Sequence, residues 1–79
     1  MAVKAFVLIE ATMGKTREVV TALEKVQGVI SVEAVTGPYD AIAVVEMPDV
    51  NAVGDIVTKH IHAVGGIART VTCLVIRLG

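Results

Sequence analysis

Seventy-nine residues, 54% of them hydrophobic and 19% charged, with a net charge of -1, make one small domain with more apolar surface than a lone fold of this size hides easily. The single cysteine excludes an intrachain disulfide, and no apolar run approaches the roughly 18 residues that a membrane helix needs. With no basic cluster and only 3% aromatics, the composition also argues against direct binding to DNA or RNA.

The segment from Ala2 to Ala11 alternates, with Val3, Ala5, Val7, Ile9 and Ala11 on one side and Lys4, Phe6, Leu8 and Glu10 on the other. That period predicts a strand. Lys4 and Glu10 within the apolar stretch speak against a secretory signal, and the single thiol agrees with a reducing cytoplasm, the expected location. Gly14 breaks the alternation. From Lys15 to Val26 the apolar positions Val19, Val20, Leu23 and Val26 have helical spacing, and Gly28 stands where a helix C-terminal glycine belongs. Val29 to Thr36 is β-branched and alternating, a second strand. The turn Gly37-Pro38-Tyr39-Asp40 follows, and Asp40 to Met47 forms a third strand. Pro48 stops it. Asp49 is a good N-cap for a helix whose apolar stripe is Val50, Val53, Val57, Ile61 and Val64, with Asp55 and Lys59 spaced for a surface pair. Gly65-Gly66 ends that helix, and Ile67 to Leu78 is the last strand.

The order is β-α-β-β-α-β, and the halves echo each other: Gly66-Ile67 repeats Gly28-Val29 at an offset of 38 residues (66 − 28). Two βαβ units with right-handed crossovers give a four-stranded antiparallel sheet with both helices on one face. The expected architecture is an α+β ferredoxin-like βαββαβ sandwich, one domain over residues 1–79. The face without helices should be polar if it meets water, yet Phe6 and Leu8 lie on it. The last strand is apolar on both sides, with Val71, Cys73 and Val75 on one and Leu74, Ile76 and Leu78 on the other. Each large side chain gains roughly 1.5–3 kcal/mol on burial, so two sheets are expected to pack face to face in a dimer.

No catalytic constellation is legible. His60 and His62 are two positions apart, diverge by about 200° on a helix and cannot share a metal. His60 reads as the edge of the apolar stripe near Ile56 and Val64, and His62 as part of the polar face with Asp55 and Thr58. Cys73 reads as a small core hydrophobe. Met13-Gly14-Lys15-Thr16 echoes the end of a phosphate-binding loop, but the required first glycine falls on Ile9. Glu10, Glu33, Asp40 and Glu46 are scattered at strand ends. No metal, cofactor or enzymatic activity is expected.

The turn admits two readings. Gly37 permits positive φ, Pro38 fixes its own φ and aspartate is a common turn residue, which suffices for a plain hairpin. Alternatively, free N–H groups on Tyr39 and Asp40 cradle a carboxylate while the Asp40 side chain accepts from an ammonium group, which together describe a free amino acid. Thr70 and Thr72 place two hydroxyls on one strand face, either as β-branched filler or as polar contacts to a ligand.

The element order, "VTGPYD" leading into "AIAVVE", and the ending "GGIARTVTCLVI" resemble the ligand-binding domain of the Lrp/AsnC transcriptional regulators. The resemblance implies sheet-paired dimers that assemble into rings, often octamers, with amino-acid effectors bound where dimers meet. It carries the effector-binding role to Gly37, Tyr39 and Asp40, to Thr70 and Thr72 on the last strand, and to Pro38 as a neighbour. Typical members carry an N-terminal DNA-binding domain, whereas here the first strand begins at residue 2. The expectation is a stand-alone effector module that senses amino acids separately or co-assembles with a full-length relative. Two rivals share the topology: a small dimeric α/β-barrel enzyme of monooxygenase or isomerase type, and a ligand-free assembly partner.

Overall fold

In the computed structural model, which describes residues 2–79, the expected βαββαβ order is present. The elements are β1 (Val3–Ala11), α1 (Thr16–Leu23), β2 (Val29–Ala34), β3 (Ala41–Met47), α2 (Val50–Asp55), a π-helical segment (Ile56–Ile61) and β4 (Ile67–Leu74). The strands form one antiparallel sheet in the order β2-β3-β1-β4, the ferredoxin-like arrangement.

Residues paired across strands share a face, so the register sorts the two sides of the sheet. Ala5, Val7 and Ile9 of β1 lie beside Val45, Ala43 and Ala41 of β3. All six are fully buried and pack with Val19 and Leu23 of α1, Val53 of α2, and Ile56, Val57 and Ile61. On the opposite face Phe6 sits between Val44 and Cys73, and Leu8 between Ile42 and Val71. Among the described residues, no helix covers this side. Phe6 remains 38% exposed, and Cys73 is exposed rather than a core residue, because its position in β4 turns it away from the helices.

Several elements are shorter than the sequence suggests, for local reasons. Helix α1 gives way after Leu23 to i→i−3 bonds, Lys25 N–H to Ala22 at 3.2 Å and Val26 N–H to Leu23 at 3.1 Å, which tighten its last turn. Gly28 (φ +101°) then reverses the chain, and Gly66 (φ +98°) does so in the second half, as the internal repeat predicts. Strand β4 ends at Leu74. The Val75 N–H still bonds to Lys4 O at 2.9 Å, but β1 begins at Val3 and leaves Ile76 to Leu78 no strand to pair with.

The second helix departs further from expectation. Asp49 caps it as predicted, accepting the Ala52 N–H at 2.8 Å, and Lys59 pairs with Asp55 at 3.8 Å. Only Val50–Asp55 is α-helical, however. The Thr58 hydroxyl donates to Gly54 O at 2.9 Å and so competes for a carbonyl the backbone would use. The helix widens over Ile56–Ile61, and the His62 N–H bonds to Val57 O, five residues back, at 2.9 Å. Among the described residues, no helix is long and apolar enough to cross a membrane.

Candidate functional site

The turn 37–40 lies at the end of the sheet where β1 finishes and β3 and β4 begin. Gly37 adopts φ +122° with open space where a side chain would go. Pro38 is exposed, whereas Tyr39 and Asp40 are half-buried. The expectation that both amides stay free is corrected by the hydrogen bonding. The Asp40 N–H donates to Ile9 O at 2.8 Å, and its carbonyl accepts the Val35 N–H at 2.9 Å. Its carboxylate Oδ2 accepts the Ala11 N–H at 2.8 Å. The β1–β4 register slips between Glu10 and Ala11, and Asp40 serves an amide at that irregularity. Asp40 therefore braces the turn against β1. The Tyr39 N–H and the second carboxylate oxygen, Oδ1, have no hydrogen-bond partner among the described residues.

Beside the turn, Arg69 of β4 reaches across the sheet to Glu10 of β1. Its Nη2 and Nε lie 2.6 and 3.1 Å from Glu10 Oε2. Glu10, through this hydrogen bond and its charge, and then Tyr39 hold the guanidinium still more firmly in its charged form. This cluster of Glu10, Tyr39 and Arg69 escaped the sequence reading. Its one advance signal is register, since alternation places Glu10 at the end of β1 and the antiparallel return of β4 brings Arg69 opposite it.

Thr70 and Thr72 are in register with Ile9 and Val7, so they face the helix side, opposite to Arg69. Thr70 Oγ1 is bound to His62 Nε2 at 2.8 Å, while Thr72 is exposed. A cavity of about 310 Å³ opens there, lined by His62, Ile67, Ala68, Arg69 and Thr70. Gly37, Pro38, Tyr39 and Asp40 thus stand on one side of β1 and the threonines on the other, roughly two strand spacings or ~10 Å apart. One chain does not gather the six residues into a single cavity. A larger groove of about 860 Å³ runs between Lys25–Gly28 and the second helix, past Met47, Ile56 and His60, and holds none of the six. No group of three or more His, Cys, Asp or Glu among the described residues could hold a metal ion.

Fold and site define a ferredoxin-like α+β module with a bare apolar sheet face and a polar cluster at one end of the sheet. The sequence profile of the Lrp/AsnC ligand binding domain matches residues 4–78, and the chain belongs to that family. Among solved structures, TTHA0845 from Thermus thermophilus superposes with a TM-score of 0.91 at 36% identity, over 98% of this chain and 96% of that one. AsnC from E. coli gives 0.89 at 21% identity, over 96% of this chain and 52% of that one. The transcriptional regulator NMB0573 from Neisseria meningitidis, solved in complex with L-methionine, gives 0.84 at 22% identity, over 95% and 50%. The last two share the fold, and this chain spans about half their length. A comparison with curated proteins finds no match.

Proposed function

We propose that this domain is an oligomeric amino-acid-binding effector module, non-enzymatic and free of cofactors, that serves the transcriptional regulation of amino acid metabolism. The observation that carries the reading is the family match over residues 4–78. The L-methionine complex of NMB0573 supports an amino acid as the class of effector.

The chemistry at the turn end supports the same class. The free Tyr39 N–H and the threonine hydroxyls suit a carboxylate, and the free Oδ1 of Asp40 suits an ammonium group. Gly37 and Pro38 shape the approach. None of the six is fully buried, so enclosing a ligand requires a neighbouring copy. Dimers pair through the bare sheet faces, and a ring of dimers, such as an octamer, supplies the second wall. An amino acid bound there stabilises one assembly state over another, by no more than its differential affinity. A full-length Lrp/AsnC-type regulator in the cytoplasm is the partner through which the module would act at a promoter.

A screen of the twenty amino acids, read by melting temperature and by mass, tests the reading. A ligand at 100 times its dissociation constant stabilises by about 2.7 kcal/mol, which raises the melting temperature of so small a domain by roughly 10–20 °C. If no amino acid shifts either quantity, the proposal is wrong.

A further inference from the structure

Position 62 is the place where the second helix and the candidate site touch, and regular helix geometry does not explain it. In an α-helix continued from Val50, residue 62 shares the outward polar face with Asp55 and Thr58. The π-helical segment adds one residue to the winding, which rotates everything after it by about 100°. His62, still exposed, is thereby turned toward the start of β4, where its Nε2 meets Thr70 Oγ1 at 2.8 Å. The cause is local: the Thr58 hydroxyl occupies the Gly54 carbonyl, and the His62 N–H falls to Val57 O.

We infer that His62 is a positioning residue of the effector site, which fixes the Thr70 hydroxyl as a hydrogen-bond donor toward a ligand carboxylate. This rests on the effector reading above and adds to it how the site tells a carboxylate from its neutral relatives. A threonine hydroxyl has one proton to give and can accept. When histidine Nε2 carries its proton, it donates to Thr70 Oγ1 and leaves the threonine proton free to point outward. A bare Nε2 would consume that proton, and only lone pairs would meet the ligand. The other titratable groups nearby are Arg69 of β4, already engaged by Glu10, and on its own segment Lys59, engaged by Asp55, with His60 two residues back. None of these is within hydrogen-bonding reach of Thr70 Oγ1, so its orientation falls to His62.

The test is calorimetry with each of the twenty L-amino acids and with the carboxamide of any that binds. It uses the full chain, His62→Ala, Thr70→Val, the double variant and His62→Gln, with melting temperatures recorded for all. The wild type should prefer the acid over the carboxamide. His62→Ala and Thr70→Val should each weaken acid binding about tenfold and abolish that preference. The double variant should lose no more than either single change, because both act through one hydroxyl. His62→Gln, which can still donate, should recover most of the affinity and the preference. If His62→Ala binds and discriminates like the wild type, or if the two losses multiply to about a hundredfold, the inference is overturned while the effector reading stands. If the wild type binds no amino acid, the effector reading falls and takes this inference with it.

Discussion

Asp40 gives the sharpest test of how the turn works. Its Oδ2 accepts the Ala11 N–H at 2.8 Å in a part-buried setting, and a hydrogen bond to a charged group contributes about 1.5–3 kcal/mol. Water can replace part of it here, so the low end applies. Asp40→Ala should cost ~1.5 kcal/mol and lower the melting temperature by about 6–12 °C at fixed protein concentration. Asp40→Asn keeps an acceptor without the charge, and neutral bonds are roughly half as strong, so its drop should be about half as large. Urea or thermal unfolding monitored by circular dichroism reads both. The same pair of variants separates bracing from direct contact. If Asp40 acts only by holding the turn, effector affinity follows stability across Asp, Asn and Ala. If Oδ1 also meets an ammonium group, Asn loses affinity out of proportion to its stability. An Asp40→Ala protein melting within a degree of the wild type would refute the brace.

Two further predictions concern the corners and the bare face. A Cβ on Gly66 would sit 2.9 Å from Lys15 Cβ and 3.1 Å from a Val19 methyl, whereas one on Gly37 meets nothing within 4 Å. Both positions hold positive φ, which costs a side chain on the order of 1–3 kcal/mol, so Gly66→Ala should destabilise clearly more than Gly37→Ala in denaturant titrations, and equal costs would contradict the packing at that corner. If copies pair through this face, Phe6→Lys should turn a wild-type dimer into a folded monomer by light scattering, because Phe6 lies outside the buried core. The neighbouring Cys73 should react slowly with a thiol reagent in the wild type and quickly in that variant. Fast labelling of a wild-type dimer would show that the subunits meet elsewhere.

Most of the fold was legible because the period of two and the period of 3.6 are strong signals in this chain. The alternation in β1 names both faces of the sheet, and the glycines at 28 and 66 mark both helix exits. The features that escaped depend on tertiary or competing local bonds. Pairing Glu10 with Arg69 requires the register of two strands 59 positions apart along the chain. Commitment of the Asp40 amide to Ile9 O depends on how the turn meets β1, which turn chemistry alone leaves open. The widening after Asp55 arises because a β-branched threonine takes a carbonyl from the helix, and the apolar stripe looks the same either way. Cys73 was misplaced because the apolar character of β4 on both faces hides which side meets the helices.

One strand ties these parts together. β1 lies between β3 and β4, and its last residues hold the turn: Ile9 O accepts the Asp40 N–H, the Ala11 N–H donates to the Asp40 carboxylate, and Glu10 accepts from Arg69. A few residues earlier, Phe6 and Leu8 of the same strand present the apolar face. A strand is stiff along its length and its side chains alternate without slack, so a displacement at Glu10 is passed to the face that Leu8 and Phe6 occupy. An effector bound at the turn would therefore act on the surface through which copies would associate. In that arrangement, binding and assembly are two readings of one equilibrium. By linkage the coupling is reciprocal: conditions that favour association, such as higher protein concentration, should tighten effector binding by the same factor that the effector tightens association.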